Sequence, residues 1–117
     1  MKIKLSYDVF DEYLKIRITG ENPYEDVEEL LMTIKRLFEQ NNRHKVLVDA
    51  NSIVIPSEIE KFRIGEMGVE VLGKRVRIAL FTKPEYINKF FENVAVNRGG
   101  QLYVAGSEKE ALDWLLK

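Results

Sequence analysis

Residues 45 to 58, KVLVDANSIVIPSE, combine an apolar run, a polar loop and the start of a helix. The unbroken apolar run at 46 to 48 is typical of a strand that is buried on both faces of a sheet. Ser57 and Glu60 have the spacing of a capping box, in which each side chain bonds the backbone amide of the other residue. The stretch therefore predicts a buried strand, a loop and a helix that runs to about Leu72.

Two segments upstream have apolar residues at every second position. This period predicts two half-buried strands that pair as a hairpin. Its apolar residues are Ile3, Leu5 and Tyr7, then Leu14, Ile16 and Ile18. Asn22 and Pro23 follow and predict the N-cap and first turn of a helix. Spacings of three and four predict the buried face of that helix, which consists of Val27, Leu30, Leu31, Ile34, Leu37 and Phe38.

The same alternation of strand and helix continues downstream. Residues 75 to 81, RVRIALF, predict another buried strand. A third helix is predicted to begin at residues 82 to 85, with a buried face of Ile87, Phe90, Phe91 and Val94. Residues 102 to 104 predict the last strand. Ser107 and Glu110 repeat the capping box before a final helix, whose inward residues are Ala111, Leu112 and Leu115.

The order β-β-α-β-α-β-α-β-α predicts an α/β fold. Strict alternation after the hairpin requires crossover connections and therefore a mixed, mostly parallel sheet of about five strands, covered by about four helices. No linker, repeat or low-complexity tract interrupts the pattern, so residues 1 to 117 are predicted to form a single domain. The first strand is expected at an edge, where a second copy of the chain can pair with it to form a homo-oligomer.

The composition argues against several classes of function. The 117 residues are 45% hydrophobic and 32% charged, which is typical of a folded domain. Zero cysteines and one histidine leave no disulfide, thiolate or zinc-cysteine chemistry, and no metal or cofactor is predicted. A net charge of −1 provides no field that attracts a nucleic acid. No apolar run approaches the roughly 20 residues of a membrane span. We therefore expect a cytoplasmic protein.

The sequence does not indicate a set of catalytic residues. His44 lies between two basic residues and is predicted to be solvated, as is the small basic cluster of Lys74, Arg75 and Arg77. A single histidine and exposed carboxylates supply neither a nucleophile-base pair nor an acid with a raised pKa. A non-enzymatic role is therefore expected.

Residues 93 to 100, NVAVNRGG, contain a glycine pair that has two interpretations. Gly99 is at the position where a helix commonly ends with a residue in the left-handed conformation. A phosphate-binding loop would instead follow a strand and begin a helix. The stretch is therefore predicted to end the third helix. In the alternative interpretation Asn97 and Arg98 line a binding surface near the following strand.

Gly65 and Gly68 lie inside the second helix, where each costs about 1 kcal/mol relative to alanine. Either the helix approaches a neighbour closely, or the glycines form the floor of a pocket that admits a ligand or partner. The apolar face of this helix is predicted to consist of Ile59, Phe62, Val69 and Leu72, widened by Met67.

The loop after the third strand is the main candidate site, because ligands and partners gather at the carboxyl ends of parallel strands. Asp49, Asn51 and Ser52 either satisfy turn amides or form a contact surface. Ser57 either caps its helix or is phosphorylated there. A phosphate on Ser57 would meet the positive end of the helix dipole but crowd the Glu58 carboxylate.

The ordered elements resemble the STAS domain, which sulfate transporters share with anti-sigma factor antagonists. The matching stretches are YLKIRITGE for the second strand, HKVLVDANSI for the strand that leads to the regulatory loop, and EALDWL for the terminal helix. VAVNRG at 94 to 99 is similar to a pattern of the uncharacterised SpoIIAA-like branch. The resemblance runs nearly end to end and implies a protein-interaction or regulatory domain with an as yet unknown protein partner.

The resemblance also implies where a phosphorylated serine would lie. Regulatory members carry it in an Asp-Ser pair at the start of the second helix, and that pair falls on Ser57 and Glu58 here. The serine position thus holds an acid, so the sequence departs from the family's pattern. A related core in CRAL-TRIO-like lipid carriers implies the alternative function, a small apolar or anionic ligand bound between the helix of Gly65 and Gly68 and the third helix.

Overall fold

The computed structural model describes residues 3–20, 26–53, 58–87 and 89–117. Five strands form one sheet in the order β1-β2-β3-β4-β5. Their bounds are β1 Lys4–Val9, β2 Leu14–Thr19, β3 Lys45–Asp49, β4 Arg77–Phe81 and β5 Gln101–Ala105. β1 is antiparallel to β2, and the remaining neighbours are parallel. The predicted mixed, mostly parallel sheet is confirmed.

Within the described residues, three α-helices connect consecutive parallel strands and a fourth follows β5: α1 Val27–Gln40, α2 Glu58–Leu72, α3 Phe90–Asn97 and α4 Glu108–Leu115. One apolar core joins α1 to the sheet through Leu30, Ile34 and Val48. A second core on the opposite face joins Ala111 and Leu115 of α4 to the sheet. Both faces of the central strands are therefore covered. None of the helices in the described ranges is long and apolar enough to cross a membrane.

The opening hairpin forms as predicted, but its outer strand is less buried than its pattern indicated. Ile16 and Ile18 of β2 are buried against α1. Tyr7, which pairs with Ile16, is 47% exposed. β1 lies at an edge of the sheet and pairs with β2, and its apolar side chains beyond Leu5 are exposed.

The start of the third helix was predicted too early. Pro84–Tyr86 forms one turn of 3-10 helix, and Ile87 then takes an extended conformation with φ −75° and ψ 119°. The α-helix begins only at Phe90, which is 40% exposed; among its side chains that the structure describes, Ala95 is buried. The predicted N-cap and first turn at Asn22 and Pro23 lie outside the described residues.

The predicted helix ends are observed where glycine takes a left-handed conformation. Gly73 ends α2 with φ +87°, and Gly99 follows α3 with φ +90°. At α4 the Ser107 hydroxyl accepts the Glu110 amide at 3.2 Å, which is half of the predicted capping box. The Glu110 carboxylate instead accepts the Tyr103 hydroxyl at 2.6 Å. This hydrogen bond to a carboxylate raises the pKa of Tyr103.

Side chains of α3 cover the outer edge of β5. The Glu92 carboxylate accepts the Val104 amide at 2.6 Å, and the Lys89 ammonium donates to the Val104 carbonyl. Lys89 also pairs with Glu92 at 3.1 Å. The backbone groups of Val104 are therefore not available to another strand, which is one way that proteins block an edge.

Replacing Glu92 with alanine should lower the free energy of unfolding by about 1–3 kcal/mol, because it removes the acceptor of a part-buried amide and leaves Lys89 without its carboxylate. Urea denaturation of both proteins measures the difference. Glu85→Ala, an exposed carboxylate in the 3-10 turn, is the control and should change stability by no more than about 0.5 kcal/mol. Equal effects of the two substitutions would contradict the role of Glu92.

Candidate functional site

The loop after β3 begins with a turn that the Asp49 side chain holds. Its carboxylate accepts the Asn51 amide at 3.1 Å. The Ala50 amide bonds the Phe81 carbonyl at 2.9 Å, and the buried Thr82 hydroxyl reaches the Ala50 carbonyl at 3.4 Å. These bonds tie the loop to the end of β4. Asp49 thus stabilises the turn by accepting a turn amide, which is the first of the two roles predicted for it from the sequence.

Asn51 and Ser52 are exposed at the tip of this turn. They lie beyond the carboxyl ends of the parallel strands, where the sequence placed the candidate site. Ser57 lies outside the described residues. Glu58 is the first residue of α2, so the backbone that follows Ser57 is helical.

Three large apolar side chains are exposed on α2 and α3, which begin at the same end of the sheet as this turn. Ile59 is 67% exposed, Phe62 39% and Phe90 40%. The Phe62 and Phe90 rings lie 6.4 Å apart at 49°, so α2 and α3 contribute to one patch. Ile59, Phe62 and Phe90 had been predicted on buried faces, and that prediction is wrong. Exposed apolar residues that cluster often mark an interaction surface.

We call Asn51, Ser52, Ile59, Phe62 and Phe90 together the contact surface. They combine a polar turn with an apolar patch at the start of two helices. No group of three or more potential metal-ligating side chains occurs among the residues that the structure describes. The arrangement can make apolar and hydrogen-bonding contacts with another molecule.

Asn97 and Arg98 do not join the loop after β3. Asn97 is the last residue of α3 and Arg98 follows it, before β5, at the end of the sheet where the parallel strands begin. Arg98 forms an ion pair with Glu66 of α2 at 2.7 Å, and its guanidinium lies 5.7 Å from the centre of the Phe62 ring. Arg98 therefore connects the end of α3 to α2, on the side of the patch away from the turn.

An apolar cavity of about 130 Å³ lies between the sheet and the helices. Its lining includes Ile34 of α1, Val48 and Leu80 of the sheet, Gly65 and Gly68 of α2, and Ala95 of α3. Every lining residue that the structure describes is uncharged. The site predicted for a small ligand between α2 and α3 thus contains a cavity, although α1 and the sheet also line it.

The two glycines of α2 border this cavity. A Cβ atom at Gly68 would find no heavy atom within 4 Å outside the backbone of its own helix. Close approach of a neighbour, the first of the two alternatives that the sequence left open, therefore does not explain Gly68. Gly100 differs, because a Cβ atom there would lie 2.8 Å from Val69 Cγ2 and 3.1 Å from the Ala95 carbonyl oxygen.

Comparison with known proteins finds structural neighbours only. No protein-family model and no curated protein matches the chain. An anti-sigma factor antagonist from Mycobacterium paratuberculosis superposes with a TM-score of 0.66 at 15% identity, covering 98% of this chain and 95% of that one. The anti-sigma factor antagonist SpoIIAA in its unphosphorylated form gives 0.59 at 18% identity, covering 97% and 96%.

A third solved structure is similar over the same length. It is an uncharacterised protein of the DUF3478 family from Shewanella loihica, described as having a SpoIIAA-like fold, with a TM-score of 0.51 at 17% identity and coverage of 97% and 93%. Identities this low establish the fold and no more. The chain has the SpoIIAA-like fold of anti-sigma factor antagonists, as the resemblance to the STAS domain predicted.

Proposed function

We propose that this chain is a non-enzymatic regulatory domain of the cytoplasm that binds a protein partner through the contact surface. The observation that carries the proposal is the exposure of Ile59, Phe62 and Phe90 beside the turn after β3. In an open parallel sheet this edge is the usual place for recognition. Two structural neighbours are anti-sigma factor antagonists, a name that denotes a regulatory role and supports the same class.

The composition of the contact surface suits a protein partner. Aromatic side chains are enriched at the centres of protein interfaces, where a few of them supply most of the binding energy. Phe62 and Phe90 occupy that position here, and Asn51 and Ser52 would form part of a polar rim. We expect the partner to present an apolar pocket or ridge to the two rings.

The double substitution Ile59→Ser with Phe62→Ser should weaken capture of the partner from a host lysate by at least about tenfold, since each side chain is an exposed anchor. Quantitative mass spectrometry of proteins retained by the immobilised chain gives the measurement. Met32→Ser with Leu116→Ser is the control, because these residues are 58% and 38% exposed on α1 and after α4. A protein retained by the wild type and the control but lost by the first variant supports the proposal. Identical retention by all three proteins would refute it.

Phosphorylation at Ser57 is the second part of this proposal. It rests on the sequence match of this position to the regulatory serine region, although Glu58 occupies the matched serine itself. Since the next residue opens α2, a phosphate would lie at the positive end of the helix.

Peptide mapping of the protein isolated from its host should locate a phosphate on Ser57. The Ser57→Ala variant should lose the phosphate, and Ser52→Ala, an exposed serine of the same loop, should keep it. Persistence of the modification in Ser57→Ala, or an unmodified wild type throughout growth, would show that this position is not a switch.

The cavity supports a second candidate function, the binding of a small apolar molecule. A volume of about 130 Å³ is close to that of apolar cavities which stay dry and accept benzene or xenon. The uncharged lining offers an anion no counter-charge. We therefore retain only the apolar ligand at this position.

Gly68→Ala should raise the free energy of unfolding by about 0.5–1 kcal/mol, because alanine favours the helix and its methyl group enters open space. Gly100→Ala, the matched control, should lower it, since its methyl group meets Val69 and the Ala95 carbonyl. Thermal and urea unfolding measure both changes. Destabilisation by Gly68→Ala would contradict the geometry of the cavity.

Ligand binding is tested separately by titrating the labelled protein with benzene and following amide chemical shifts. Shifts at Val48, Gly68 and Ala95 that disappear in Gly68→Leu, whose side chain would fill the cavity, would support the second function. An unchanged spectrum at saturating benzene would rule out this cavity as a site for apolar ligands.

A further inference from the structure

A groove of about 620 Å³ lies at the edge of the sheet opposite the contact surface. It is formed where the end of α1 meets the segments that precede β3 and β4. Lys35 of α1, His44 before β3, and Lys74 and Arg75 before β4 contribute its charged and titratable groups, together with the Glu39 carboxylate. Its size is in the range of sites that bind small molecules.

The cations of this groove form no ion pair with any residue that the structure describes. Within the described part of the chain, the side chains of Lys35, Lys74 and Arg75 form no ion pair and no hydrogen bond, and neither does the imidazole of His44. By contrast, Lys15 pairs with Glu108 at 2.7 Å. Three lysine and arginine charges against one carboxylate leave a local excess of two positive charges, whereas the chain carries −1.

Apolar side chains form the floor of the groove. Phe38 and Val76 line it and are 6% and 3% exposed, so only a small part of each reaches the groove. Leu72, at the end of α2, is partly buried against the same core. A ligand that fills the groove would thus meet carbon below and cations around the rim.

The backbone that presents these cations is fixed by turns and hydrogen bonds. Gly73, with φ +87°, turns the chain from α2 into Lys74. The Lys74 carbonyl accepts the Gln101 side-chain amide at 2.9 Å, and the His44 carbonyl accepts the Arg77 amide at 2.8 Å. The Lys74 stem lies so close to Gly99 that a Cβ atom there would be 3.2 Å from its Cδ and Cε. The backbone from which these cations project is therefore held in place, and the ordering cost of binding is confined to their side chains.

We propose that this groove binds a small organic anion, a phosphate or carboxylate group joined to an apolar ring. The unpaired cations would bind the anionic group through charge-assisted hydrogen bonds, and the floor of Phe38, Leu72 and Val76 would contact the ring. A long polyanion is disfavoured, because the charge excess is confined to one groove of a chain with net charge −1. This site goes beyond the proposed partner binding, which uses the opposite edge of the sheet.

Phenyl phosphate, benzoate, inorganic phosphate and phenol test the proposal when each is titrated into the ¹⁵N-labelled protein. Phenyl phosphate or benzoate should shift the amides of Asn42, His44 and Gly73 with saturation, and whichever acid binds more tightly identifies the anionic group. Inorganic phosphate and phenol should each bind at least about fivefold more weakly, because each lacks one of the two contacts. Absence of saturable shifts with both aromatic acids, or equal affinity for phenyl phosphate and inorganic phosphate, would overturn the proposal.

Charge reversal separates specific binding from general attraction. Lys74→Glu with Arg75→Glu should weaken binding by at least about tenfold. Lys4→Glu with Lys83→Glu changes the net charge equally at the opposite edge of the sheet and should change affinity by less than about twofold. If the first variant does not fold by its amide spectrum, Lys35→Glu alone replaces it with the same expectation. Equal losses in the groove variant and the control would show that no specific site exists.

Discussion

Burial of β3 on both faces is the constraint on which the rest of the structure depends. Val46 and Leu47 are 0% exposed and Val48 is 3% exposed, although adjacent residues of a strand point to opposite faces. Burying each such side chain is worth about 1.5–3 kcal/mol. Leaving either face open would lose part of that energy, so helices must pack on both sides of the sheet. The helices α1 and α2 cover one face, and α4 covers the other.

The crossovers that cover β3 also separate the surfaces of the molecule. Because β2 to β5 are parallel, every loop that follows one of these strands lies at their carboxyl ends. Every loop that precedes one of them lies at their amino ends. The contact surface lies at the carboxyl ends of these strands, and the cationic groove lies at their amino ends. The candidate contact residues named from the sequence, such as Asn51 and Asn97, are therefore divided between the two ends of the parallel strands.

The fold could be predicted from the sequence because the spacing of apolar residues indicates directly which side chains are buried. The run at 46 to 48, the alternation of Ile16 and Ile18 and the stop at Gly73 are local signals, and each appears in the structure as predicted. The exposure of Ile59 and Phe62 was missed because α2 has apolar residues on several sides, as at Ile64, Met67 and Val71. Such a pattern indicates a helix without showing which side its neighbours cover.

The remaining features depend on contacts between distant segments. A glycine beside a cavity and a glycine against a neighbour have the same sequence signal, so Gly68 and Gly100 are distinguished only by the atoms around them. Likewise, Lys74 is predicted only as part of a solvated basic cluster, and the fold then brings Lys35 of α1 into the same groove. Propensity and period hold no information on either arrangement.

The helix α2 connects the three surfaces described above. Its first turns present Ile59 and Phe62, its middle borders the cavity through Gly65 and Gly68, and Gly73 at its end directs the chain into the groove. A molecule in the cavity would thus contact the helix that carries the partner surface. Such a ligand can alter partner binding only if it has different affinities for two positions of α2. The vacant space beside Gly68 is where those positions would differ, since a close-packed boundary permits one position and a gap permits more than one.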